Sequence, residues 1–276
     1  MGRMGAEDPA TIRNHSSRTV GIGHLVIKGA ICGLLAGLVA GAFAFIFAEP
    51  LIDHAIATEY QRAAAEAAAR GATLPPEVFS RQTQRAGLVV ATAAVSTAFG
   101  ALFGMLFYGL SRQRQRASHW ALALSLGTAL FVGYYLVPFI RYPANPPGVG
   151  DPNTIAQRSS ATLLATVIGV LAVAAAWRLN AWLREREVFE PVRHLAATVI
   201  FLAMVGGTYS ILPDNTDPVQ VPATLLWNFR LLSVTTQLLL WGTLAVSFGL
   251  WVEWSARRRS SIPRGAQTRA AGAGHV

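Results

Sequence analysis

Six long apolar blocks dominate this 276-residue chain, at residues 25–48, 86–110, 120–140, 159–177, 195–212 and 231–254. A helix rising 1.5 Å per residue needs about 20 apolar residues to cross a hydrocarbon layer of roughly 30 Å. In that layer no water satisfies the backbone, so only helices and closed barrels can cross it. Barrel strands would show alternating segments of about ten residues, and none is present. The expected fold is therefore all-α: a polytopic helical membrane protein of about six transmembrane helices, with both termini on the cytoplasmic side. A tail at 1–24, a transmembrane domain at 25–254 and a tail at 255–276 make up the chain. Outer loops are expected at 49–85, 141–158 and 213–230.

Composition agrees with this reading. Hydrophobic residues make up 53% and charged residues only 13%, about half the charged share of an ordinary soluble domain. The net charge of +9 could suggest a nucleic-acid ligand. The arginines instead flank the apolar blocks, and no stripe of interleaved basic and aromatic residues accompanies them. The one cysteine, Cys32, lies inside the first block and forms no internal disulfide. Residues 1–24 are polar, and the block behind them is too long for the apolar region of a signal peptide. Both tails read as disordered basic ends.

Orientation follows from arginine and lysine placement. With six spans, 16 basic residues fall on the side of the two termini and 7 on the other. Arg257, Arg258 and Arg259 close the last span on the basic side, which is expected to be cytoplasmic. A five-span count would place one terminal basic cluster outside, against this trend.

Gly29, Gly33, Gly37 and Gly41 recur every fourth residue in the first block, and Gly100 and Gly104 repeat the spacing in the second. Such a face admits close approach of a neighbouring helix. A permeation seam lined by bare carbonyls is the other reading. The span interiors hold no Asp, Glu, Arg or His, whereas proton relays in transporters use buried ionisable groups.

Three outer segments carry unusual chemistry. In Ala48-Glu49-Pro50-Leu51-Ile52-Asp53-His54, proline would end the span or start a new helix. Two carboxylates and an imidazole suit a divalent ion such as Co²⁺, Ni²⁺ or Mn²⁺. An acidic helix start with a solvated histidine is the alternative. Residues 56–70 read as an Ala-rich helix closed by Gly71, with Glu59, Arg62, Glu66 and Arg70 on a solvated face. The second segment, residues 141–155, has three prolines in five residues and must be a stiff turn. Its Asn145 and Asp151 are candidate cation ligands, and Asp151 can equally cap the next helix. The third segment, residues 221–230, brings Trp227 and Phe229 to an interfacial belt. Its Arg230 either snorkels or pairs with Glu49, Asp53 or Asp151. If that helix begins near Pro222, Arg230 lies two turns inside it.

The order of these strings resembles the CbtA family, the proposed membrane subunit of a bacterial cobalt transporter. The carrying strings are Phe47-Ala48-Glu49-Pro50-x-x-Asp53, preceded by Gly33-Leu34-Leu35-Ala36-Gly37-Leu38. With them come Tyr135-Leu136-Val137-Pro138-Phe139 and Tyr142-Pro143-Ala144-Asn145-Pro146-Pro147-x-Val149-Gly150-Asp151-Pro152-x-Thr154-Ile155. Last is Pro222-Ala223-Thr224-Leu225-Leu226-Trp227-x-Phe229-Arg230. The resemblance covers residues 24–254 and implies cobalt uptake serving cobalamin synthesis, at a bacterial inner membrane. It also implies a small single-span companion, CbtB, with a histidine-rich metal-binding tail. The family is often described with five spans, whereas six are counted here.

The resulting expectation is a multi-pass uptake subunit for a divalent cation, most plainly Co²⁺, with no permanently bound cofactor. Glu49, Asp53, His54, Asn145 and Asp151 are its metal candidates. A non-transporting scaffold or sensor that regulates a metal-binding partner is the competing reading. The chain is not expected to be an enzyme, because HExxH, GxSxG and a paired intramembrane aspartate are all missing. It also has no Walker A string, so any ATP coupling needs another chain.

Overall fold

The computed structural model describes residues 21–73, 79–113, 118–147, 149–214, 217, 219 and 221–260. Six helices are long and apolar enough to cross a membrane. They are α1 (Ile22–Ala69), α2 (Arg81–Gln113), α3 (His119–Arg141), α4 (Ile155–Glu185), α5 (Glu190–Ile211) and α6 (Ala223–Ser260). No strand occurs among the described residues. The expected tails lie largely outside the described residues, as do residues 74–78 and 114–117.

The helices run beyond the apolar blocks at most ends. The largest difference is in α1, which is one helix of 48 residues. Pro50 does not break it. The turn before the proline, Ala44–Ala48, widens to π geometry, and the Glu49 N–H bonds back to the Ala44 carbonyl. Proline cannot donate to the carbonyl four residues earlier and its ring crowds that carbonyl, so a wider turn relieves the clash. The same device appears in α3. Phe131–Leu136 is π-helical, the Val137 N–H bonds to the Val132 carbonyl, and Pro138 follows.

Gly71 ends α1 with φ +66°. The Ala72 N–H reaches the Ala67 carbonyl at 2.9 Å and the Gly71 N–H reaches Ala68 at 3.1 Å. This is a Schellman cap, which needs a left-handed residue at that point. The Ala-rich helix expected from the sequence is thus the C-terminal part of α1. Its Arg70–Glu66 pair, 3.7 Å apart, is exposed and contributes little.

Four helices form the core. The α1 glycines lie against α2, where a methyl on Gly29 would collide with the Gly100 carbonyl and one on Gly33 with the Ser96 carbonyl. A Cβ on Gly37 would lie 2.6 Å from the Ser96 Cβ. Helix α2 therefore fills most of this face, which packs rather than lines a passage. Gly41 is the exception, since its nearest neighbour would be the Thr92 methyl at 3.6 Å. Helix α6 packs on both α1 and α3, and Phe103, Phe107, Leu244 and Phe248 are among the most buried side chains of this core.

Helices α4 and α5 form a second layer. They reach the core through α3, where Gly133 meets Gly169 with no room for a side chain. Outward faces are apolar: Ile27, Ile46, Val90, Leu163 and Leu195 are each more than 60% exposed. Small residues inside and large aliphatic ones outside is the pattern of a bundle surrounded by lipid. Lys28 Nζ donates to Ser255 Oγ at 2.8 Å, which sets the start of α1 beside the end of α6. Both ends of the described chain thus share one end of the bundle, and Glu49 lies toward the other.

Candidate functional site

The Glu49 end holds two polar networks. The first joins α1 to α2. Glu49 and Asp53 are four residues apart on one helix, so both project from the same face. Arg81 and Arg85 have the same spacing at the start of α2. Arg81 Nη2 donates to Glu49 Oε1 at 2.6 Å and to Asp53 Oδ1 at 2.7 Å. Arg85 Nε donates to Glu49 Oε1 at 2.9 Å, and its Nη2 reaches Asp53 Oδ2 at 2.5 Å. Glu49 is 5% exposed, and a carboxylate so far out of water needs hydrogen-bond partners. Asp53 stands beyond the apolar stretch, where the Arg81 hydrogen bond holds its carboxyl below the usual range. The four side chains sum to zero charge.

The second network fastens the proline-rich turn to the segment before α6. Arg141 pairs with Asp214 at 2.7 Å and donates to the Leu212 carbonyl at 2.8 Å. The Tyr142 hydroxyl donates to the Pro213 carbonyl at 2.7 Å, and the Tyr209 hydroxyl donates to the Val137 carbonyl. Asp217, whose side chain is 8% exposed, is the hub. Its Oδ2 takes Arg158 at 3.0 Å, the Thr154 hydroxyl at 2.8 Å and the Asp151 N–H at 3.3 Å. Gly150 has φ +102°, and a Cβ there would lie 2.5 Å from Arg158 Nη1.

The ligands expected from the sequence are divided between these networks. Glu49 and Asp53 come together. His54 is exposed and outside their cluster. The Asp151 carboxylate closes a turn instead, accepting from the Asn153 N–H at 2.8 Å and the Asn153 side-chain amide at 2.9 Å. Asn145 accepts from Arg230 at 2.9 Å, and Arg230 also donates to the Ala144 carbonyl at 3.3 Å. Arg230 thus pins the proline-rich turn, two turns inside α6, and no described ion pair joins it to Glu49, Asp53 or Asp151. Among the described residues, no three His, Cys, Asp or Glu side chains converge as metal ligands.

Arg81, Arg85, Arg158 and Asp217 are the site residues that sequence reasoning passed over. Arg81 and Arg85 carried a readable signal, because their spacing matches that of Glu49 and Asp53. Asp217 carried none, since its role depends on a contact 63 residues away in sequence.

The family model described as "Probable cobalt transporter subunit (CbtA)" matches residues 22–253. The chain belongs to the CbtA family. No curated protein and no solved structure matches it. The family is described as a probable cobalt transporter subunit, the six long apolar helices fit a multi-pass membrane protein, and both networks lie within the matched range.

Proposed function

We propose that this chain is the membrane-embedded uptake subunit for Co²⁺, oriented with both termini in the cytoplasm of a bacterial cell and the Glu49 end outside. The family match carries this reading. The 16-to-7 division of basic residues supports the orientation, since positive loops stay cytoplasmic. Glu49 and Asp53 are the carboxylates that first meet the ion. They are hard oxygen donors on one helix face, held together by Arg81 and Arg85 until a divalent ion competes for them. The description as a subunit supports a partner, and a small single-span CbtB-type chain with a histidine-rich tail would capture the metal. Supply to cobalamin synthesis is the corresponding physiological role.

Radioactive cobalt uptake tests this in cells expressing the chain with and without the companion. Glu49→Gln and Asp53→Asn should abolish most uptake at unchanged membrane levels. Uptake that survives both substitutions removes these carboxylates from the path. A chain that never raises cobalt accumulation, with or without its companion, is the scaffold or sensor instead.

A further inference from the structure

Midway along the bundle, three rings from three helices meet. Phe99 of α2 contacts Tyr134 of α3 at 5.1 Å between centroids and Trp241 of α6 at 5.6 Å. Tyr134 and Trp241 close the triangle at 5.9 Å. Helix α1 seals the adjoining level, where Gly37 packs on Ser96, itself 1% exposed. Below the triangle, Phe103 and Phe107 continue the column against Phe248, with centroids 5.2 and 5.0 Å apart.

Two features separate the triangle from ordinary core packing. Trp241 is 3% exposed, yet its indole N–H has no hydrogen-bond partner among the described residues. A buried tryptophan normally finds an acceptor, and a core selected for stability alone would place an apolar ring there. Tyr134 also stands on the π turn Phe131–Leu136, and its neighbour Tyr135 has a buried hydroxyl that is likewise without a described partner.

We propose that Phe99, Tyr134 and Trp241 form the mid-membrane barrier to ion passage, with Trp241 as its central plug. Three apposed rings at this depth exclude water, and a dewetted constriction stops a hydrated divalent ion. This rests on the transport reading above, which supplies the ion and its direction.

The full chain, reconstituted in calcein-loaded liposomes, provides the test, with Co²⁺ added outside and entering metal quenching the dye. Wild type and Trp241→Phe, which keeps a ring, should quench slowly. Trp241→Ala should quench at least about tenfold faster, the change expected when a dewetted constriction is opened. Should Trp241→Ala not fold, Phe99→Ala and Tyr134→Ala carry the same expectation from the other two helices. Monodisperse, helical variants that quench no faster than wild type overturn the barrier, as does a wild type that already quenches at the variant rate. A chain inactive in cellular uptake whose Trp241→Ala form still leaks would sink the uptake reading and leave the barrier standing.

Discussion

Glu49 and Arg81 lie 32 residues apart in sequence and meet at 2.6 Å, joining the middle of α1 to the start of α2. Arg85 shares the same Glu49 oxygen. Truncating one member of such a cluster leaves a buried charge short of partners, at a cost of about 1–3 kcal/mol. Arg81→Gln should therefore lower the thermal midpoint in detergent. The double variant Glu49→Gln/Arg81→Gln should lose less than the sum of the two singles. Strict additivity would show that the two groups are not coupled.

The glycine seam makes a position-specific prediction. A methyl at Gly33 or Gly100 meets backbone, which cannot yield as a flexible side chain can. Alanine at either site should destabilise the bundle by about 1–3 kcal/mol, the usual cost of overpacking. Gly41→Ala makes only an ordinary contact with the Thr92 methyl and should be neutral or gain up to about 1 kcal/mol from helix propensity. Equal effects at Gly33 and Gly41 would contradict the seam.

These two cases mark what is legible in the amino-acid order and what is not. The four-residue glycine period points to a close helix contact or a carbonyl-lined seam, and the α2 backbone lying against Gly29 and Gly33 decides for the contact. Span number and type are legible for a similar reason, since hydrocarbon thickness fixes helix length. Pro50 misleads, because proline ends helices unless the preceding turn can widen, and nothing local announces a π turn. The ligand candidates are legible as residue types and not as a group. Asp151 and Glu49 sit in networks assembled by Arg158, Asp217, Arg81 and Arg85, most of them distant in sequence.

Asp217 holds the α4 start and the turn at Gly150 together through Arg158 and Thr154. Asp217→Asn keeps a hydrogen-bond acceptor and removes the charge. Amide hydrogen exchange at residues 149–154 should speed up, while the α1–α2 seam keeps its protection. Unchanged exchange in that turn would remove Asp217 as its hub.

Glu187 has φ +56° in the link between α4 and α5. The Val188 N–H bonds to Leu183 at 3.1 Å and the Glu187 N–H to Arg184 at 3.1 Å, the same cap that Gly71 completes in α1. A left-handed residue with a side chain costs roughly 1–2 kcal/mol, partly offset in glycine by its greater unfolded freedom. Glu187→Gly should raise the thermal midpoint by a few degrees. A lowered midpoint would mean that the Glu187 side chain contributes more than its backbone loses.

Sidedness is directly measurable. On a Cys32→Ser background, single cysteines at His54 and Asn153, both at the Glu49 end, should react with an impermeant maleimide from the extracytoplasmic face. Labelling of the two from opposite faces would sink the proposed orientation and separate the two polar networks.

The unbroken course of α1 has a mechanical consequence. From Asp53, the last clamped residue, to Ala69 the helix extends about 24 Å past the arginine clamp, at 1.5 Å per residue. A pivot of about 10° at the clamp would carry that end of the helix sideways by about 4 Å on that arm length. A protein that grips the alanine-rich tip would hold a lever whose other arm carries the glycine seam, and could pull on the centre of the bundle without touching it.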